Sequence, residues 1–244
     1  IEKQTTEIKW DAEAAEKAGF EHFMMKEIHE QPKAVQDTLN SVIKDGRIDF
    51  EAVGITEDEI KGFEQIYIVA CGSAWHVGMA AQYVLEDMAD IPVRVELASE
   101  FRYRKMSLNP KALMIVVSQS GETADTLVGS SIAREADKVF YTLAGPEISV
   151  ATTKAYSAQL AAMYCLAVQF AEVRGKLTEE QYGYYIAELM TIPEKIQKIL
   201  EDKERLQWFA AKYANAEDVF FVGRGIDYAI CLEGSLKLKE ISYI

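Results

Sequence analysis

The sequence predicts an α/β protein built around a doubly wound parallel sheet. Three apolar runs, at residues 65–70, 91–97 and 112–117, have the length and β-branched content of strands in such a sheet, and the third should be buried on both faces. The first run turns at Gly72 into a predicted helix from about Trp75 to Met88. Because a strand, a helix and a parallel strand make a βαβ unit, helices should cover the sheet.

The composition is that of a globular protein with an acidic balance. Its 244 residues suffice for one large or two small domains, and 49% are hydrophobic while 27% are charged. The formal net charge of −13 argues against a nucleic-acid partner, whose phosphates would be repelled. No apolar run approaches the roughly 20 residues of a membrane helix. The polar start at residues 1–4 does not suggest a signal peptide, so we expect no membrane partner.

The cysteines and histidines indicate neither disulfides nor a metal site. Cys71, Cys165 and Cys231 lie in apolar segments without CxxC spacing, which predicts reduced core residues of a cytosolic protein. The three histidines, at positions 22, 29 and 76, match no metal-binding pattern. We therefore expect no metal and no cofactor.

The regions around the central sheet are predicted to be mainly helical. Residues 1–19 suggest a tail or linker, residues 20–30 a first helix, and Pro32 the start of a second helix. The second helix should bury Val35, Leu39 and Val42. Further elements are predicted as an edge strand at 138–143, a long helix over 155–170, and two helices within 176–216 whose apolar and aromatic stripes pack in the core.

An internal repeat predicts a second copy of the first βαβ start. Residues 218–225 and the segment that follows repeat the order of strand, glycine turn and helix at a constant offset of 153, which aligns Gly72 with Gly225. We therefore divide the chain into a tail (1–19), a first subdomain (20–175), a helical connection (176–217) and the start of a second subdomain (218–244).

A polar block, SQSGETADT at residues 118–126, follows the third predicted strand. The carboxyl ends of parallel strands are where ligands bind in open α/β sheets. Hydroxyl, amide and backbone N–H groups at a helix start can hold a phosphate without a lysine. An ordinary capped helix with Ser120 as N-cap explains the same letters, but the strand that precedes them favours the phosphate site.

The junction after this block is too short for its place in the fold. Only residues 123–128 lie between Glu122 and the next glycine and serines, whereas a crossover between parallel strands takes a dozen or more residues. We expect a segment to be missing near residues 127–129.

Four separated blocks resemble the isomerase part of the glucosamine-6-phosphate synthase family, the glutamine:fructose-6-phosphate aminotransferases. They are ASEFRYR at 98–104, SQSGETADT at 118–126, GPEISVATTKA at 145–155 and LEGSLKLKEISYI at 232–244. The resemblance implies a sugar-isomerase (SIS) fold in a fragment with one nearly complete subdomain and the start of another. It also implies a cytoplasmic homodimer. Residues 98–105 are a candidate interface, which a solvated surface loop explains as simply.

The resemblance implies an enzyme that makes glucosamine 6-phosphate from fructose 6-phosphate and ammonia released from glutamine by a glutaminase domain. Nothing of that domain is present, and the family's ring-opening histidine and C-terminal lysine would lie beyond Ile244. We therefore expect this chain alone to bind sugar phosphate weakly without turning it over. Two alternatives are a non-catalytic phosphosugar sensor and a structural oligomerisation module.

The resemblance assigns the chemistry to Glu240 and Lys237. Glu240 would move a proton between C1 and C2 of the open sugar, and Lys237 would position it or stabilise the developing charge. From the residues alone, two charges three apart on a helix are a solvated ion pair worth a few tenths of a kcal/mol.

The remaining expected contacts bind the sugar phosphate. Ser73, in the turn after the first strand, offers a hydroxyl, whereas Ala74 replaces a hydroxyl residue common in the family. Thr152 and the backbone of Val150 are sugar contacts by resemblance alone. The phosphate anchor would be Ser118, Gln119, Ser120 and Thr123.

Overall fold

A computed structural model describes residues 16–119 and 134–243 of the chain. The helices are α1 (Phe23–Val42), α2 (Glu57–Gly62), α3 (Gly72–Ala89), α4 (Ala98–Phe101), α5 (Lys154–Val173), α6 (Glu179–Glu201), α7 (Lys203–Tyr213) and α8 (Ile226–Ser242). The strands are β1 (Ile43–Lys44), β2 (Arg47–Ile48), β3 (Gln65–Ala70), β4 (Val93–Leu97) and β5 (Ala112–Val116).

Several predictions fall outside the described residues. Most of the tail at 1–19 is among them, as are Ser120, Thr123 and the short junction near residues 127–129.

The predicted parallel sheet is present. Strand β3 lies in the centre and pairs in parallel with β4 and β5, in the order β4-β3-β5. Ile66 is opposite Val93 on one side and Leu113 on the other. The three apolar runs therefore form the strands that the sequence predicts.

Strand β5 is less buried than predicted. Met114 and Val116 are 41% and 47% exposed, so the expectation of burial on both faces is wrong. In the described part of the chain β5 is an edge strand, and no described layer covers the face to which these two side chains belong. An apolar run can thus predict a strand without showing how many layers cover it.

Helix α3 packs closely on the sheet. A Cβ atom on Gly78 would lie 2.9 Å from Ile68 Cγ2 and 3.0 Å from Val95 Cγ1, so only glycine allows this approach. Helix α5 packs against both α1 and α3. Its far end is fixed by Arg174, which donates to Ala89 O at 3.0 Å and to Phe63 O at 3.1 Å.

Helix α1 continues through Pro32, so the predicted break and helix restart are wrong. A proline inside a helix has no N–H for the carbonyl four residues earlier, which here belongs to Ile28. Gln31 Nε2 donates to Ile28 O at 3.0 Å instead. This side chain supplies the missing donor, and Val35 and Leu39 remain buried as predicted.

Residues 138–143 form no strand, which contradicts the predicted edge strand. Leu143 N donates to Thr38 Oγ1 of α1 at 3.0 Å, and Lys138 Nζ lies 2.7 Å from Glu59 Oε2 of α2. A β-branched and aromatic run becomes a strand only where a neighbour offers a hydrogen-bonding ladder. Here the hydrogen bonds come instead from the side chains of helices α1 and α2.

The two predicted helices within 176–216 are present as α6 and α7, but only α6 contributes to the core. Tyr182 is buried in α6, and its hydroxyl accepts a hydrogen bond from Ile48 N at 2.8 Å. In α7, Trp208 is 56% and Phe209 46% exposed. The prediction of a core stripe on α7 is therefore wrong, since no described residues cover it.

The internal repeat is visible in its turn and helix but not in its strand. Gly72 and Gly225 have left-handed φ values of 57° and 63°, and α3 and α8 begin at these turns. Residues 218–222 form no strand, and Phe220 and Val222 are 90% and 88% exposed. No described strand lies beside them to supply a ladder.

The cysteines are free, but only Cys165 is a core residue. Cys71 is exposed because it follows the last residue of β3 at the sheet edge, and Cys231 is half-buried in α8. Burial raises the pKa of the Cys165 thiol to about 12. Among the described helices, none has the length and apolar content needed to cross a membrane.

Candidate functional site

The predicted ligand edge of the sheet is formed by the carboxyl ends of β3 and β5. Val117 N donates to Val69 O at 3.1 Å, which continues the parallel hydrogen bonding one residue beyond β5. Ser118 therefore follows β5 beside the turn that carries Ser73 at the start of α3. The N-terminus of this 18-residue helix adds the positive end of its dipole to the same edge.

Gln119 joins the end of β5 to the loop before α5. Its Oε1 accepts a hydrogen bond from Thr152 Oγ1 at 2.6 Å, and its Nε2 donates to Glu147 Oε2. The structure thus brings together two side chains that the sequence analysis took from separate blocks. Their contact joins the end of β5 to the loop before α5.

Glu147 also fixes the loop before α5, through hydrogen bonds within the loop itself. Its Oε1 accepts from Thr153 N at 2.7 Å and from Thr153 Oγ1 at 3.0 Å. Burial raises the pKa of the Glu147 carboxyl, an effect that the hydrogen bonds from Thr153 oppose. Thr153 donates to this carboxylate and makes no side-chain cap for α5.

Helix α1 supports the loop through the buried carboxylate of Glu27. This group accepts hydrogen bonds from Ile148 N at 2.5 Å, from Ser149 N at 3.2 Å and from Ser149 Oγ. Val150, the next residue, is 96% exposed. The loop is therefore held by Glu27 at residues 148 and 149 and leaves Val150 exposed.

The residues assigned to the chemistry form a second cluster on α8. Lys237 Nζ lies 2.5 Å from Glu240 Oε2 and 3.5 Å from Glu233 Oε1. The other oxygen of Glu233, Oε2, lies 2.7 Å from His76 Nδ1 of α3. The pair that the sequence predicts is present, and it is part of a longer chain of charges.

Helix α3 connects the two clusters. Ser73 and His76 are three residues apart in its first turns and so lie on one face. One end of that face is the ligand edge of the sheet, and the other holds α8 through His76 and Glu233. Through His76 and Glu233, the helix that starts at the predicted ligand edge therefore also contacts the helix that carries Lys237 and Glu240.

Sequence reasoning missed His76, Glu233, Glu147 and Glu27. Glu233 had a usable signal, because it precedes Lys237 by four residues and so lies on the same helix face. The others had none, since their partners are distant in the sequence or belong to the backbone. Among the described residues, no group of three or more His, Cys, Asp or Glu side chains could hold a metal ion.

Comparison with known proteins gives consistent matches. The SIS domain family matches residues 59–129 and 127–169. The chain is 51% identical over 264 aligned positions to glutamine–fructose-6-phosphate aminotransferase (isomerizing) from Caldanaerobacter subterraneus. All of this chain is covered by that match, but the chain spans only 43% of the relative's length.

Two solved structures resemble this fold. The C-terminal domain of glucosamine-fructose-6-phosphate aminotransferase from Francisella tularensis has a TM-score of 0.89 at 37% identity, covering 94% of this chain and 70% of that one. A putative phosphosugar isomerase from Silicibacter pomeroyi has a TM-score of 0.68 at 25% identity, covering 89% and 68%.

The alignments also bear on the short junction near residues 127–129. The 264 aligned positions exceed the 244 residues of the chain, so at least 20 positions have no counterpart here. The two pieces of the SIS match meet at residues 127–129. Both findings agree with a missing segment at this junction.

The sequence identity to these relatives extends over the whole chain, and the fold is shared with the solved C-terminal domain. This chain therefore belongs to the glutamine–fructose-6-phosphate aminotransferase family and corresponds to the C-terminal, SIS-domain part of its members.

Proposed function

We propose that the chain binds a hexose 6-phosphate at the ligand edge of its sheet and is the isomerising part of an enzyme that makes glucosamine 6-phosphate. The substrates would be fructose 6-phosphate and ammonia released from glutamine. The glutaminase domain that releases it would be the second partner.

The observation that carries this proposal is the contact between Gln119 and Thr152 at 2.6 Å. The contact joins an amide next to Ser118, after the end of β5, to a hydroxyl two residues after the exposed Val150. Beyond these contacts, the second N–H of the Gln119 amide and the N-terminal N–H groups of α3 can donate to a phosphate ester, and the Thr152 oxygen can accept from a sugar hydroxyl. Neutral donors of this kind would allow a protein of net charge −13 to bind an anion.

The roles of the residues follow from this placement. Ser73, Ser118 and Gln119 would anchor the phosphate, with Ser120 and Thr123 as further proposed donors outside the described residues. Thr152 and Val150 would contact the sugar. Glu240 would transfer the proton between C1 and C2, and Lys237 would stabilise charge on the adjacent oxygen.

Calorimetric titration with glucosamine 6-phosphate tests the site. Thr152→Val removes one hydroxyl at nearly constant volume and should weaken binding about tenfold, since a ligand hydrogen bond contributes about 1 kcal/mol or more. Thr191→Val is the matched control, because the Thr191 hydroxyl donates to Glu188 O within α6. Equal affinity in the wild type and in a Ser73→Ala, Thr152→Val double variant would contradict the proposal.

We also propose that the chain is cytoplasmic and forms a homodimer. Residues 98–105 are the candidate interface, where Tyr103 is 82% exposed and Arg102 lies over its ring. Light scattering on the purified chain should then give twice its mass of 27.4 kDa. Tyr103→Asp should return the mass to that of one chain, and a wild-type monomer at all concentrations would contradict the dimer.

The division of the chain remains part of the proposal. Residues 20–175 would form the first SIS subdomain, 176–217 the helical connection and 218–244 the start of a second subdomain. The paired glycine turns at Gly72 and Gly225 support this division. The exposed Phe220 and Val222 have the character of strand residues without a neighbour.

A further inference from the structure

The buried contact between His76 and Glu233 has no role in the function proposed above. The two residues are 157 positions apart in the sequence and join α3 to α8. Nδ1 of His76 lies 2.7 Å from Oε2 of Glu233, and the side chains are only 11% and 8% exposed. A carboxylate so far removed from water must be matched by donors or charge, so this contact is unlike a solvated surface pair.

The two oxygens of Glu233 face different partners. Oε2 contacts the imidazole of His76, whereas Oε1 lies 3.5 Å from Lys237 Nζ. The orientation of the Glu233 carboxylate therefore determines the position of the charged oxygen that faces the Lys237 ammonium group. Lys237 also contacts Glu240 at 2.5 Å, so its position depends on carboxylates one turn away in both directions along α8.

The surroundings are polar in a way that packing alone does not require. Tyr156 Oη and Glu233 Oε1 are buried and take part in no hydrogen bond with the described residues. Burial, and after it the charge of Glu233, raises the pKa of the Tyr156 hydroxyl well above its usual range. Buried polar atoms that make no hydrogen bond are uncommon in a packed core and call for an explanation, and the 3.5 Å contact with Lys237 is the one that Glu233 Oε1 has among the described residues.

We infer that His76 is a positioning residue: by holding Oε2 of Glu233 it directs Oε1 toward Lys237, and so fixes the ammonium beside Glu240. The chemical meaning of this arrangement rests on the proposed function, in which Lys237 and Glu240 act on the sugar. A lysine side chain has many rotamers, and a reacting group must be held to within about half an ångström. His76 supplies that restraint from α3, a different helix, through Glu233 on α8.

The test measures Lys237 directly in the 244-residue chain. The side-chain ammonium signals are recorded by ¹⁵N NMR after selective lysine labelling, and Lys237→Arg identifies the signal of Lys237. His76→Leu removes the donor and keeps the bulk, whereas His76→Asn places an amide N–H near the position of Nδ1. His29→Leu is the control, because the His29 ring stacks on Phe20 in the N-terminal region.

The Lys237 signal should be protected from solvent exchange in the wild type, in His76→Asn and in His29→Leu, and protection should be lost in His76→Leu. Unchanged protection in His76→Leu overturns the inference, as does a wild-type signal like that of exposed lysines. If circular dichroism shows that His76→Leu does not fold, Glu233→Gln decides. It keeps an acceptor for His76 but removes the charge, so protection should again be lost.

The proposed function is tested separately in the same samples. Titration of the wild type with glucosamine 6-phosphate does not depend on the NMR signal, and the NMR signal needs no sugar. A wild type that binds no sugar but loses Lys237 protection in His76→Leu would remove the proposed function and keep the positioning role. A wild type that binds the sugar, together with unaltered Lys237 protection in His76→Leu, would keep the proposed function and remove the positioning role.

Discussion

The carboxylate of Glu27 fixes the loop that carries Val150 and Thr152. It is 2% exposed and accepts hydrogen bonds from two consecutive backbone N–H groups and one hydroxyl. Consecutive N–H groups that point the same way leave the chain little choice of conformation. A side chain on α1 therefore sets the geometry of a loop more than 100 residues later in the sequence.

Glu27→Ala should lower the free energy of unfolding by about 2–4 kcal/mol, since it leaves several buried donors without an acceptor. Urea unfolding measures the loss. The control is Glu188→Ala, which removes a largely exposed ion pair with Lys195 and should cost less than about 1 kcal/mol. Equal losses in the two variants would mean that the Glu27 contacts do not hold the loop.

Gly78 gives a second prediction at the scale of one residue. Gly78→Ala should destabilise the fold by about 1–3 kcal/mol, because the new methyl group would meet Ile68 and Val95 at about 3 Å. Gly183→Ala is the same change in helix α6, where nothing lies within 4 Å of the added atom. It should stabilise by about 0.5–1 kcal/mol. Thermal unfolding of both variants should therefore give shifts of opposite sign.

Helix α2 is tied to residues 134–143 by the side chain of Glu59. This carboxylate accepts from Thr56 N and Thr56 Oγ1 in a capping box, and Lys138 Nζ lies 2.7 Å away. The hydrogen bond from Lys138, followed by those from Thr56, lowers the pKa of Glu59 to about 2. One acidic side chain thus closes a helix start and holds a distant segment.

The pKa of Glu59 gives a pH dependence with a defined sign. Its folded-state pKa lies below the ordinary value of 4.5, so the ionised group stabilises the fold above that pH. The contribution is lost as the pH falls from 4.5 toward about 2. In a ¹³C NMR titration, Glu59 should remain ionised about one unit below its ordinary pKa, and Lys138→Met should raise its midpoint. Titration at 4.5 in both proteins would contradict this.

At the scale of elements, the local pattern of apolar and polar residues predicted the strands of the parallel sheet and most helices. It did not predict which of their faces are buried. The apolar runs that became β3, β4 and β5 needed only their own composition to be recognised. The run at 138–143 has a similar composition, but no described strand lies beside it to form backbone hydrogen bonds. Whether such a neighbour is present depends on residues far away in the sequence. Pro32 failed as a helix breaker because the neighbouring Gln31 replaces the missing donor.

The candidate site residues divide in the same way. The positions of Ser73, Ser118 and Gln119 after the carboxyl ends of parallel strands could be predicted, because each follows an apolar run, which is a local pattern. Their contacts with Thr152 and Glu147 could not be predicted from spacing. The pairing of His76 with Glu233 is farther still from any local signal, since it depends on how α8 packs against α3.

Considered as a whole molecule, the chain has an apolar surface at its C-terminal side. Leu206, Trp208 and Phe209 on α7 are exposed, as are Phe220 and Val222 after it. Large apolar side chains exposed in this number promote association in solution unless another part of the protein covers them. The relatives are longer than this chain, which spans 43% of the Caldanaerobacter protein.

Trp208→Gln combined with Phe220→Ser should leave the thermal midpoint nearly unchanged, because substitutions at exposed positions usually alter stability by about 0.5 kcal/mol or less. Concentration-dependent light scattering should decrease in the same variant. A fall of several degrees in the midpoint would show that these side chains are packed in solution, as the sequence pattern alone predicts.

The polar face of α1 has a consequence for any attempt to transplant residues 139–153, the segment that carries the proposed sugar contacts. Residues 139–153 contain no helix or strand, and their shape depends on side chains spaced along one face of α1. Within the segment, Glu27 contacts Ile148 and Ser149, and Thr38 contacts Leu143. Glu30 and Gln31 contact Lys154 and Ser157 in the first turn of α5, which directly follows the segment. The conformation of the segment therefore depends on helix α1, and the two have to be transferred together. A grafted loop would keep its conformation only if α1 were moved with it in the same register.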